Sequence, residues 1–245
     1  MNQRDWKKLF VLAFVLAGIL SLCYYRTEQG GTLQTGTEPV QDPPVCQAET
    51  EEAEIALIFE VSHSVSSPEN ILEVFARQGG KATFFLTGAW IREHQAAVRQ
   101  ITEQGHEIGF LGEECRDMSL LDAGELRREL ENGRTLLEDF RKQEQGEQRL
   151  LFCPPYGTAD DLLLQTAREA GLEVIGWKVD SLDWKGYGAD AVVRQVLQND
   201  GPEAGSVVRF HADAKETPEA LVQILETLEQ KGMRAVTVSE LLASG

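Results

Sequence analysis

At 245 residues, with 42% hydrophobic and 26% charged side chains, the chain is long enough for one sizeable domain and is ordinary enough in composition to exclude a disordered or low-complexity protein. The charge is the unusual feature. Twenty-three Lys and Arg against forty Asp and Glu give a net −17, and that field repels a polyanion, so nucleic-acid binding is excluded as a leading reading.

The chain opens with Arg4, Lys7 and Lys8, followed by an uncharged apolar run from Leu9 to Tyr25. A basic flank before such a run predicts a membrane-spanning helix at the short end of the range, with the rest of the chain on the extracytoplasmic side. No small-residue cleavage site follows it. Cys23 suggests a lipid-modified cysteine, but Leu22 stands where a small residue is wanted, so residues 1–26 are read as a retained anchor. Residues 27–53 (TEQGGTLQTGTEPVQDPPVCQAETEEA) hold Gly, Thr, Gln, Glu and Pro with few large apolar side chains, and predict a flexible extracytoplasmic stalk.

From residue 54 onwards, apolar runs alternate with amphipathic stretches. The spacing predicts strands at 55–59, 82–87, 107–110, 150–152, 173–179, 206–210 and 235–238. Helices are predicted near 69–79, 89–104, 123–145, 159–170, 189–199 and 217–232. Gly105, Gly171 and Gly232 fall where three of these helices should stop. Such alternation predicts α/β architecture with parallel strands and helical crossovers, and the number of units suits a barrel. Chemistry in such folds sits at the C-terminal strand ends.

Those ends carry KATFFLTG (81–88), GHEIGF (105–110), PPYG (154–157), DSLDWKG (180–186) and TVSELL (237–242), in this order. Together they resemble the polysaccharide deacetylase family, the NodB-homology domain of carbohydrate esterase family 4, over about residues 54–243 of a folded domain read as 54–245. The resemblance implies a distorted (β/α) barrel that removes acetyl groups from N-acetylated glycans such as peptidoglycan or chitin. It also implies a divalent metal such as zinc, held by one Asp and two His, that activates water. A second Asp serves as base, a His as acid, and the backbone of PPYG helps bind the oxyanion.

Carried over position by position, much of that site is altered. The family's T-F-D-D-G-P falls on Ile58 to His63, so the base becomes Glu60 and the metal-ligand Asp becomes Val61. The two ligand histidines become Leu111 and Cys115, and the Asn of the same motif becomes Phe110. Val and Leu offer no lone pair, and zinc needs several N, S or O donors in fixed geometry, so no metal is expected. The Arg before PPYG is Cys153. Asp180, Asp183 and Trp184 survive in the fourth motif, and His211 survives in the fifth, where Arg209 replaces a Leu. The resemblance leaves Glu60, Asp180 and His211 as a degenerate catalytic set, with Pro155, Tyr156, Asp183, Trp184 and Arg209 as substrate contacts. Because an Arg is lost at 153 and another gained at 209, Arg209 is expected to neutralise Asp180, which would otherwise be a costly buried charge.

Other residues have plainer readings. His106 is expected to be structural and His94 to be solvated. Trp177 is read either as core or as a sugar contact beside Trp184 and Tyr156. Cys115 and Cys153 are read as separate thiols, as a disulfide filling the old site, or as part of a metal site rebuilt with His63 or Glu60. Three functions stay open: a metal-free deacetylase, a glycan-binding pseudoenzyme, and an envelope scaffold acting through protein contacts.

Overall fold

A computed structural model describes residues 43–62, 66–144, 149–198 and 201–245. The anchor expected over Leu9–Tyr25 and most of the stalk lie outside them. Among the described residues no helix is long and apolar enough to cross a membrane.

Eight strands form one sheet: β1 (Glu54–Val61), β2 (Thr83–Leu86), β3 (Glu107–Phe110), β4 (Leu151–Phe152), β5 (Glu173–Val174), β6 (Val179–Asp180), β7 (Val207–His211) and β8 (Arg234–Val236). Their order is β5-β4-β3-β2-β1-β7-β6, with β8 added beside the first residues of β1, and every strand pairing is parallel. All of β1 is buried, as its continuous apolar run requires of a strand covered on both faces. Ala56 and Ile58 join Phe85, Leu111, Leu151, Cys153 and Val207 inside the curl. Ile55, Leu57, Phe59 and Val61 point the other way, into the layer under the helices.

The helices are α1 (Ser66–Gln78), α2 (Gly88–Glu93), α3 (Gln95–Glu103), α4 (Ala123–Glu144), α5 (Asp161–Glu169), α6 (Ala189–Leu197), α7 (Thr217–Gln230) and α8 (Val238–Ala243). Two differences from expectation have local causes. The helix expected over 89–104 is two helices, because His94 leaves helical geometry at φ −124° and ψ 41°. The last strand stops at Val236 because Thr237 caps α8, in a reciprocal capping box with Glu240.

The barrel is a half-barrel. The run 173–179, expected as one strand, splits into β5 and β6, which form the two ends of the sheet. The gap is bridged by residues assigned above to the stalk. Val45 donates its amide to Val174 and accepts one from Gly176, while Cys46 accepts from Val207 and Ala48 donates to Gly205. Glycine is required at both contact points. A Cβ on Gly176 would lie 2.7 Å from the Cys46 sulfur, and one on Gly205, itself at φ 80°, would lie 2.0 Å from the Ala48 oxygen. The stalk reading is therefore corrected for 43–53. Composition measures apolar burial and is blind to a segment held by its own backbone hydrogen bonds.

Candidate functional site

Strand register builds the site. Glu60 pairs with His211 across β1 and β7, and Asp180 pairs with Arg209 across β6 and β7. Alternation along β7 sends Val208 and Phe210 to the helix side and leaves Arg209 and His211 to the inner face.

Arg209 lies at the centre. One guanidinium nitrogen, Nη1, donates to Oε1 of Glu60 at 3.2 Å, and Nη2 donates to Oδ2 of Asp180 at 2.6 Å. The expected pairing with Asp180 is thus present, and Glu60 is drawn into the same cluster. The guanidinium carbon lies 3.6 Å from the centroid of the Trp177 ring, a stacked cation–π contact. That ring also lies against Gly157, where a Cβ would come within 2.5 Å of it. Trp177 is the platform for Arg209 and packs against the inner apolar layer, in keeping with the core alternative. Arg209 is itself corrected as a substrate contact, because its side chain is only 9% exposed and is engaged with two carboxylates.

Asp183 is the second correction. Its side chain is buried, and it accepts from the His211 amide (2.8 Å), from Thr217 Oγ1 (2.6 Å) and from the Trp184 amide (2.9 Å). It also lies 2.8 Å from Nδ1 of His211. Burial works to raise its carboxyl, but these donors outweigh burial and hold it below the usual range. An ionised Asp183 fixes the proton of His211 on Nδ1 and turns Nε2 towards Glu60, 3.7 Å from its Oε2. Asp183 therefore orients the histidine and has no free oxygen for a ligand. Thr217, the remaining donor, escaped the sequence reading because a threonine opening a helix looks like an ordinary end signal.

Burial pushes the Glu60 carboxyl up, and the charges of Arg209 and His211 pull part of that back. The exposed part of the site is aromatic: Tyr156 is 64% and Trp184 57% exposed, while Pro155 is buried. Tyr156 takes a left-handed conformation at φ 61° and donates its hydroxyl to the Cys115 carbonyl at 3.3 Å. A non-glycine residue there is strained by about 1–3 kcal/mol and must be held by its surroundings. His106 is structural, as expected: it is buried, its Nδ1 accepts the Ala82 amide, and its ring meets Phe75 and Phe84 edge-on. His94 is only partly exposed, its ring against Trp90.

A divalent metal does not fit the donors present. Val61 packs in the helix-side apolar layer and Leu111 in the inner one. The Cys115 thiol is pushed up by burial and then by Glu60, and the fully buried Cys153 thiol is pushed up further. Cys46, Cys115 and Cys153 are all free thiols, so the Cys115–Cys153 bridge is not formed. Among the described residues, no three His, Cys, Asp or Glu side chains converge as a metal-binding set. His63 lies outside the described residues.

A polysaccharide deacetylase family profile matches residues 47–175, which includes β1, the GHEIG strand and the PPYG turn. The chain belongs to the polysaccharide deacetylase family. A peptidoglycan-N-acetylglucosamine deacetylase of Bacillus cereus is 31% identical over 193 residues, covering 77% of this chain and 87% of that one. Among solved structures, a carbohydrate esterase family 4 pseudoenzyme from Bacillus anthracis superposes with a TM-score of 0.73 at 26% identity, covering 82% of this chain and 69% of that one. A mutant of that pseudoenzyme with restored enzymatic activity superposes at 0.74 and 25% identity, covering 82% and 71%. A carbohydrate esterase family 4 pseudoenzyme and its mutant with restored enzymatic activity thus share the fold of this chain.

Proposed function

We propose that this chain is a catalytically inactive polysaccharide deacetylase homologue that binds N-acetylated glycan at the outer face of the cell membrane. The observation that carries the reading is Arg209, whose guanidinium occupies Glu60 and Asp180 in a site with alkyl side chains at positions 61 and 111. Without a Lewis acid, the attacking water keeps a pKa of about 15.7. A general acid–base pair supplies only about 10²–10⁴-fold, which is too little for an amide. The relatedness to a peptidoglycan-N-acetylglucosamine deacetylase supports an N-acetylated sugar as ligand, and the kinship with a pseudoenzyme supports loss of hydrolysis. The exposed rings of Tyr156 and Trp184 supply apolar faces for a sugar. The basic-flanked apolar run at residues 9–25 supports the membrane location.

The test is direct. The full chain in detergent, incubated with N-acetylglucosamine oligomers, should release no acetate above a buffer blank, while calorimetry detects saturable binding. Trp184→Ala and Tyr156→Ala should each weaken that binding about 3- to 10-fold, the equivalent of about 0.5–1.5 kcal/mol per aromatic contact. One observation favours a second reading: the line from Asp183 through His211 to Glu60 is intact. Acetate release abolished by His211→Ala would establish that reading and end the inactive one. Absence of any glycan binding would leave the scaffold role.

A further inference from the structure

We propose that Arg209 is the resident cation of this site and excludes a divalent ion from it. The missing donors at 61 and 111 are then only half of the reason why a metal does not fit. Glu60 and Asp180 sit on β1 and β6, the two strands that flank β7, and both carboxylates converge on one guanidinium delivered from between them. That group is fixed from three directions: an ion pair to each side and the Trp177 ring beneath it. Guanidinium keeps its charge at every physiological pH and matches carboxylates through its planar fork. A metal ion approaching Glu60 would have to displace a desolvated, stacked cation, and would leave Arg209 without its partners in the interior.

The cluster also shows a cost that it tolerates. Among the described residues, Arg209 Nε is buried and has no hydrogen-bond partner, so the side chain is not placed to satisfy every donor. What its position does satisfy is charge, since it gives both carboxylates one shared counter-ion. A side chain selected only to fill the space of the family's leucine would not need that arrangement. Cys153, the small residue at the family's arginine position, is buried in the same inner layer, and the cation that pairs with Asp180 here is delivered from β7.

This inference requires neither glycan binding nor catalysis, so its failure would leave the glycan-binding part of the functional proposal untouched. The test puts nitrogen donors back and removes the cation together with its Asp180 partner. The full chain carrying Leu111→His and Cys115→His is compared with the same chain also carrying Asp180→Asn and Arg209→Leu, which leaves Glu60 as the free carboxylate. Zinc affinity is measured by competition with a chromophoric chelator, with thermal melts as the control for folding. The chain lacking Arg209 should bind zinc at least about tenfold more tightly, a difference of about 1.4 kcal/mol. Equal behaviour overturns the proposal, whether both chains bind zinc or neither does. Should the leucine variant not fold, Arg209→Gln in the same background makes the same comparison with a polar, uncharged side chain.

Discussion

Arg209→Leu should lower the unfolding free energy by about 3–5 kcal/mol, the range for stranding buried charges by removing their partner. Two carboxylates lose their counter-ion at once, and Glu60, at 7% side-chain exposure, has little water to replace it. The Trp177 ring also loses the group stacked upon it. The diagnostic comparison is Arg209→Leu with Glu60→Gln and Asp180→Asn added. With all three charges gone, most of the lost stability should return, because an apolar or neutral replacement of a whole buried ion cluster is often close to neutral. Urea unfolding at pH 7 reads both variants. A single-variant loss within about 0.5 kcal/mol, the scatter of ordinary surface substitutions, would falsify the counter-ion role.

The second large effect is a dependence on pH. His106 is held to about 4 from an ordinary 6.5, by burial first and by the neighbouring Lys81 charge second. Its folded pKa lies below its unfolded one. Between these values the unfolded chain binds the proton and the native protein does not, so stability falls as pH falls. The full contribution is present above about pH 6.5 and is lost progressively down to about pH 4, to a total of about 3 kcal/mol. His106→Gln keeps an acceptor for the Ala82 amide but cannot take up the proton. Its stability curve should therefore descend less steeply than that of the unaltered chain between these limits, and parallel curves would remove His106 from the account. The difference between the two proteins isolates His106 from the carboxylates that titrate in the same range.

How much of this was legible in the sequence depends on which force set each feature. The strands at 107–110 and 206–210 and the helices at 123–145 and 217–232 lie within a few residues of expectation, because their periodic burial is written into the residue types. The Arg209–Asp180 pair was legible through the family resemblance: one motif arginine lost, another gained, and a carboxylate needing a partner. Glu60 as a third member was not, since an acidic residue at a strand end says nothing of which cation will reach it. The role of Asp183 was misread for a related reason. A motif marks a residue as belonging to a site without saying whether it faces the ligand or holds a neighbour. Burial decides that, and burial at a strand end depends on the loops above it. The break in the run 173–179 was illegible because it is made by residues far away in the chain.

Those distant residues, 45–48, have one more consequence. Every sheet that stops short of closure has two raw margins, and unpaired amides and carbonyls along them will accept strands from another molecule. Here the chain covers the lower part of both margins itself, through Val45 on one side and Cys46 and Ala48 on the other. A fragment begun at Glu54, where residue composition changes, would uncover Val174, Gly176, Gly205 and Val207 together. It should self-associate edge to edge, as light scattering would show, whereas a fragment begun at Pro43 should remain monodisperse. The segment serves as a selvedge, the self-finished edge that keeps a woven sheet from fraying into its neighbours.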